Sequence, residues 1–178
     1  MARLEEPTWP RLLGGRAVIL LTIGTMLPFD RLVRVVDRWA GVHREEEVIA
    51  QIGDRGVYEP KHMQWMRFVP PDEFAAMVDR SRLLIAHAGT GSFLLAAERA
   101  RPIVLFPRLA WLGEHTSDHQ LQTARWLQHK RGVHIAMTEE ELPSAIAAAL
   151  AQPEVVVEPI PPYAPSPFLS RLRDALLN

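Results

Sequence analysis

Three loops of this chain hold side chains that could do chemistry. The first, HAGTGS at 87–92, follows the apolar run Leu83–Ala86 and leads straight into FLLAAERA, which reads as a helix. Gly89 and Gly91 let the backbone come close to a ligand and adopt positive φ. With Thr90 between them, the amides of Gly91, Ser92 and Phe93 would open that helix, where unpaired N–H groups and the helix dipole favour a phosphate. Ser92 adds a hydroxyl and His87 a ring N–H. The same residues also describe a plain strand-to-helix turn capped by Ser92.

The second loop, TIGTMLPFD at 22–30, has the same layout: a strand ends, Gly24 turns, Thr25 follows, and a helix begins near Phe29. It would offer a second set of amides to the same diphosphate, or it is an ordinary βα connection. The third, EHTSDHQ at 114–120, gathers Glu114, His115, Asp118, His119 and Gln120 at a helix start. His115 and His119 are four apart on one helix face, as metal-binding histidines often are, but Thr116 stands where a zinc protease has its glutamate. Asp118 and Gln120 suit sugar hydroxyls; alternatively, Glu114 and Asp118 simply complement a helix dipole. Arg108, at the end of another strand, could pair with a phosphate through its planar fork or serve as a surface arginine. Phe68 and Val69 end a further strand, where they flank a planar base or, as the simpler reading of Phe68, pack into the core.

Such loops need a scaffold, and the rest of the chain supplies one. Apolar runs of strand length alternate with amphipathic stretches of helix length. Strands are expected at 17–22, 48–52, 63–69, 83–86, 103–106 and 133–137, and helices at 30–40, 70–80, 91–100, 117–128, 138–150 and 168–177. Thr138 and Glu141 have the spacing of a capping box. Six prolines between 153 and 167 exclude helix and central strand and predict an extended strap, with the last helix docking back onto the body. The expected fold is α/β: a Rossmann-like parallel sheet of about six strands with helices on both faces. Residues 1–152 form the domain, and 153–178 are a strap and helix belonging to it. In such sheets ligands bind at the carboxyl ends of the strands, which is where all three loops fall.

Composition narrows the function. A chain of 178 residues, 48% hydrophobic and 23% charged, suits one well-buried domain. A net charge of -1 gives no general attraction to nucleic acid. The absence of cysteine excludes disulfides and thiolate zinc sites. No apolar run approaches the ~18 residues of a membrane span. The opening MARLEEPTWPRLLGGR has acids and prolines where a signal peptide needs an apolar core, so no export signal is expected. The expected location is the cytoplasm, with any membrane work depending on another molecule.

The stretch LIAHAGTGSFLLAAERARPIVLFPR, followed by GEHTSDHQLQTARWL, resembles the C-terminal, nucleotide-sugar-binding half of GT-B glycosyltransferases of the family 28 group. Within that group it is similar to the small soluble subunit of two-part transferases, which work with a membrane partner on dolichol-linked GlcNAc or in bacterial exopolysaccharide synthesis. TIGTMLPFDRLVRVVD and VIAQIG are similar to the start of the bacterial set, so the resemblance runs over roughly residues 17 to 150.

The resemblance implies the donor-binding catalytic subunit of an inverting hexosyltransferase, which moves a sugar from UDP to a lipid-linked saccharide with a membrane-anchored partner. The alternative is a non-catalytic UDP-sugar-binding subunit that enhances a catalytic partner. A metal-dependent hydrolase built on His87, His115, Asp118 and His119 is a rival from another class. By the resemblance, Gly24 and Thr25 face the diphosphate and the backbone at Phe68 and Val69 holds uracil. His87, with the amides and hydroxyl at Gly91 and Ser92, holds the phosphates, and Glu114, His115, Asp118 and Gln120 line the sugar; Gly89, Thr90 and Arg108 complete the candidate donor-binding set on the residue reading alone. No metal and no cofactor beyond the UDP-sugar co-substrate is expected. His115, Glu114 and Asp118 are the candidate bases. Where many relatives carry an acid for the ribose hydroxyls, this chain has Leu95, with Glu98 one turn on.

Overall fold

The computed structural model describes residues 17–161 and 163–177. The N-terminal stretch read for an export signal lies outside the described residues. Six parallel strands form one sheet in the order β3-β2-β1-β4-β5-β6: β1 (Val18–Thr22), β2 (Val48–Gln51), β3 (Gln64–Met66), β4 (Ser81–His87), β5 (Ile103–Phe106) and β6 (Val133–Ile135). The helices are α1 (Asp30–Val42), α2 (Pro71–Arg80), α3 (Thr90–Glu98), α4 (His119–Leu127), α5 (Leu142–Ala151) and α6 (Ser166–Leu177).

Strands β1, β2 and β5 are buried at every position, which is why they read as unbroken apolar runs rather than alternating ones. The period of two still sorts their side chains. Ile19, Leu21, Ile85, Val104 and Phe106 meet Leu32, Val36 and Trp39 of α1 and Ile146 of α5. Leu20, Leu84, Ile103 and Leu105 meet Val78, Phe93, Ala96 and Leu127 of α2, α3 and α4. The chain enters at β1 in mid-sheet, builds outward to β3, and returns through α2 to pair β4 with the other side of β1. The helices after β1 and β4 therefore leave to opposite faces, and a crevice opens between them at the carboxyl edge.

Several boundaries differ from expectation. The strand expected over 63–69 is only Gln64–Met66, because the chain after it turns to present Phe68 and Val69 at the sheet's edge. The helix expected from 117 starts at His119, after a short 3-10 turn at Ala110–Leu112 that Gly113 closes at φ 72. Side chains of Glu114 and Asp118 accept the amides of Leu109 and Ala110 there, holding the loop out of helical form. Near the capping box, Thr138 Oγ accepts the Glu141 amide at 3.4 Å and Glu141 accepts the Met137 amide at 2.7 Å, just ahead of α5.

The strap lies over the body at Val157, which is buried and donates its amide to the Arg101 carbonyl at 3.4 Å. Beneath it, Gly132 has φ +72, and a Cβ there would lie 2.3 Å from the Val156 carbonyl carbon. Backbone cannot yield as a side chain can, so Gly132→Ala is expected to cost about 2 kcal/mol of stability in urea unfolding. The docking expected of the last helix is not found. Every described residue from Glu158 onward is exposed, and α6 buries none of its side chains. Pro159 and Pro161 keep the chain extended as it leaves the body, and the apolar residues Phe168, Leu169 and Leu172 stay exposed. No helix among the described residues is long and apolar enough to cross a membrane.

Candidate functional site

A cavity of about 450 Å³ occupies the crevice, bounded by the ends of β1, β2 and β4, the chain after β3 and the start of α3. All three predicted loops contribute to it: Gly24 and Thr25 from the first, His87, Gly91 and Ser92 from the second, His115 and Gln120 from the third.

His87 closes β4, and its ring stands in a slot between two glycines. A Cβ on Gly24 would lie 2.9 Å from Cε1, and one on Gly89 would lie 2.3 Å from Nε2. Gly24 and Gly89 are thus required first by the imidazole, and Gly24 also by its φ of +77. Gly91 is different: its Cβ position has nothing within 4 Å and opens on the cavity. The Nδ1 atom of His87 is buried without a hydrogen-bond partner. Burial lowers its pKa to about 4, helped by the positive fields of Arg108, His115 and His119, so the ring is neutral at pH 7 and offers an uncharged N–H.

Helix α3 begins at Thr90 with Gly89 as N-cap and no capping side chain, so Ser92 does not cap it. The Phe93 amide closes the first helical turn on the Gly89 carbonyl at 3.3 Å. The free amides are therefore those of Thr90, Gly91 and Ser92, one residue earlier than expected. Gly91 and Ser92 border the cavity at the positive end of the helix dipole.

The third loop is where structure and expectation part most. Arg108 is neither a phosphate fork nor a surface arginine. It is 2% exposed, and its guanidinium donates to the carbonyls of Ile23, Leu27, Pro28 and Glu114 while lying 4.5 Å over the Phe29 ring. Burial lowers its pKa to about 10, against the opposing pull of Glu114, so it remains charged. Glu114 is also committed: it pairs bidentately with Arg31 at 2.7 and 2.8 Å and accepts the Leu109 amide. Asp118 accepts the Ala110 amide, and Gln120, 3% exposed, accepts the Arg108 amide. These groups build the wall rather than reach into the space. His115 does line it, with its Nδ1 accepting the Thr116 amide at 2.9 Å. Burial and the neighbouring His119 and Arg108 lower the His115 pKa. The His115 and His119 rings meet edge to face at 4.3 Å, and among the described residues no group of three or more His, Cys, Asp or Glu is placed to hold a metal.

Phe68 is not core: it is 57% exposed and lines the cavity with Phe74 and Leu95. Val69 is buried, and its amide donates to Gln51 Oε1 at 3.0 Å, so it is not free for a base. Leu95 faces the cavity where an acid would be wanted, while Glu98 is exposed outside it. Sequence reasoning missed three residues here: Thr22 and Gln51, polar at the ends of apolar strands, and Arg31. The polar last position of a buried strand was the signal available for the first two.

A profile of the glycosyltransferase family 28 C-terminal domain matches residues 18–158. The chain belongs to that family. Among solved structures this family 28 domain is similar to the glycotransferase of kitacinnamycin, with TM-score 0.61 and 16% identity over 87% of this chain and 40% of that one. It is similar to MurG of Acinetobacter baumannii, with TM-score 0.56 and 17% identity over 79% of this chain and 43% of that one. A third likeness is to Os79 from O. sativa in complex with UDP, with TM-score 0.56 and 14% identity over 75% of this chain and 32% of that one. The architecture is thus one half of a GT-B fold, and the chain spans less than half the length of each of these structures. No curated protein sequence matches it.

Proposed function

We propose that this domain is the donor-binding catalytic subunit of an inverting hexosyltransferase that uses a UDP-sugar in exopolysaccharide synthesis. A membrane-anchored partner supplies the acceptor domain, holds the chain at the cytoplasmic face and presents a lipid-linked saccharide. The observation that carries the reading is the convergence of hydrogen-bond donors in one cavity. The start of α3 and the neutral His87 border a space that the apolar side chains of Phe68 and Phe74 also line. The donors suit a diphosphate and the apolar side chains suit a planar base. That a UDP complex exists for the similar Os79 structure supports the same class of ligand.

In the reaction, an acceptor hydroxyl oxygen bonds to the anomeric carbon from the face opposite the diphosphate. The bond from that carbon to the β-phosphate oxygen breaks, and its electron pair leaves with UDP. The α3 amides and His87 stabilise the charge that develops there. The acceptor proton goes to a base on the partner: Glu114 and Asp118 are held in internal hydrogen bonds, and His115, the one candidate of the three that faces the cavity, accepts the Thr116 amide on Nδ1 and so keeps its own proton on Nε2. The commitment of all three groups also favours a second reading, in which the chain only binds UDP-sugar and enhances a partner that is itself catalytic; turnover by the isolated partner would mark that case.

Titration calorimetry with UDP tests the reading. UDP should bind with and without chelator, and Gly91→Val should lower the affinity at least about tenfold with little change in the unfolding midpoint, because its side chain enters space that only the ligand fills. No UDP binding by the wild-type chain, alone and with its partner, would refute the proposal.

A further inference from the structure

A chain of hydrogen bonds at the floor of the cavity has a fixed direction. The Val69 amide can only donate, so the Gln51 atom 3.0 Å from it is the carbonyl oxygen Oε1. This turns the Gln51 Nε2 toward Thr22, where it donates to Oγ1 at 3.5 Å. The Gly24 amide donates to the same Oγ1 at 3.2 Å. A hydroxyl oxygen has two lone pairs, and both are taken. The Thr22 proton is left, with no acceptor for it among the described residues. Thr22 is 5% exposed, and the surface it keeps lines the cavity.

We propose that the Thr22 hydroxyl is a ligand-binding donor, aimed into the cavity by Gln51 and the Gly24 amide, and that it serves a phosphate oxygen of the bound nucleotide. The inference rests on the proposed nucleotide-sugar site and names a residue of it. A phosphate is chosen because its oxygens only accept, and the α3 amides and Thr22, as its hydroxyl is held, can only donate. A group with both lone pairs occupied cannot accept from a ribose hydroxyl, so it discriminates between the two ends of a nucleoside diphosphate. Gln51 is a positioning residue. It touches the ligand's surroundings through Thr22 on one side and the Phe68–Val69 turn on the other.

The test compares UDP with uridine on Thr22→Val, which keeps the branched shape, and Thr22→Ser, which keeps the hydroxyl. Affinities are read by calorimetry, or by ligand-observed NMR where weak. Thr22→Val should lose about tenfold in UDP affinity with uridine affinity unchanged, and Thr22→Ser should restore the UDP-to-uridine ratio. Gln51→Met should lower that ratio in the wild-type background and not further in Thr22→Val, since it acts through the hydroxyl. Equal loss of UDP and uridine, or an unaltered ratio in Thr22→Val, would overturn the inference while leaving the UDP site standing. Failure of the wild-type chain to bind UDP would remove both.

Discussion

Replacing Arg108 by methionine should lower the free energy of unfolding by about 4 kcal/mol, read from urea denaturation of the purified chain. The guanidinium gathers the carbonyls of Ile23, Leu27 and Pro28 from the loop after β1 and that of Glu114 from the loop after β5. Methionine fills much of the volume but leaves these acceptors facing an apolar chain. Lysine should recover only part of the loss, because a point charge on a flexible stem cannot meet several carbonyls in one plane. The outcome separates two roles. A phosphate-pairing arginine would give a variant that folds normally and fails to bind UDP, and that result would contradict the clamp described here.

The second large effect is acid sensitivity from His87. Its folded pKa of about 4 lies below the usual 6.5, because the slot between Gly24 and Gly89 excludes water. Between these values the unfolded chain binds more protons than the folded one, so stability rises with pH. The contribution is complete above pH 6.5 and is lost as pH falls to 4, to a total of roughly 3 kcal/mol. His87→Gln should flatten that limb of the stability profile between pH 4 and 6.5. An unchanged slope in this variant would show that the ring is better solvated than its burial implies.

Much of the scaffold was legible in the sequence because one physical signal dominates each element. The runs 18–21, 83–86 and 103–106 within β1, β4 and β5 are apolar at every position, which a strand buried on both faces requires. The carboxyl-edge rule points to the same three loops that line the cavity. Individual roles were harder. Glycines 24 and 89 were legible as needed, but the reason, a histidine ring 2.9 and 2.3 Å from their would-be Cβ atoms, is a tertiary fact. Arg108, Glu114 and Asp118 carry charge, and charge in a loop reads as ligand chemistry. Only the fold reveals that their partners are internal, with Arg31 arriving from 83 positions away to take Glu114. The last helix failed for the converse reason: its periodicity is real, but periodicity does not name what covers the apolar side.

The two outermost strands, β3 and β6, are each three residues long. An open sheet must end somewhere, and its rims present unpaired backbone groups on which a foreign chain could grow a ladder. Here each rim offers less than one strand of usual length, beside interior strands that are buried at nearly every position. The chain thus keeps its most adhesive sequence in the middle of the sheet and exposes edges too short to seed cross-β assembly.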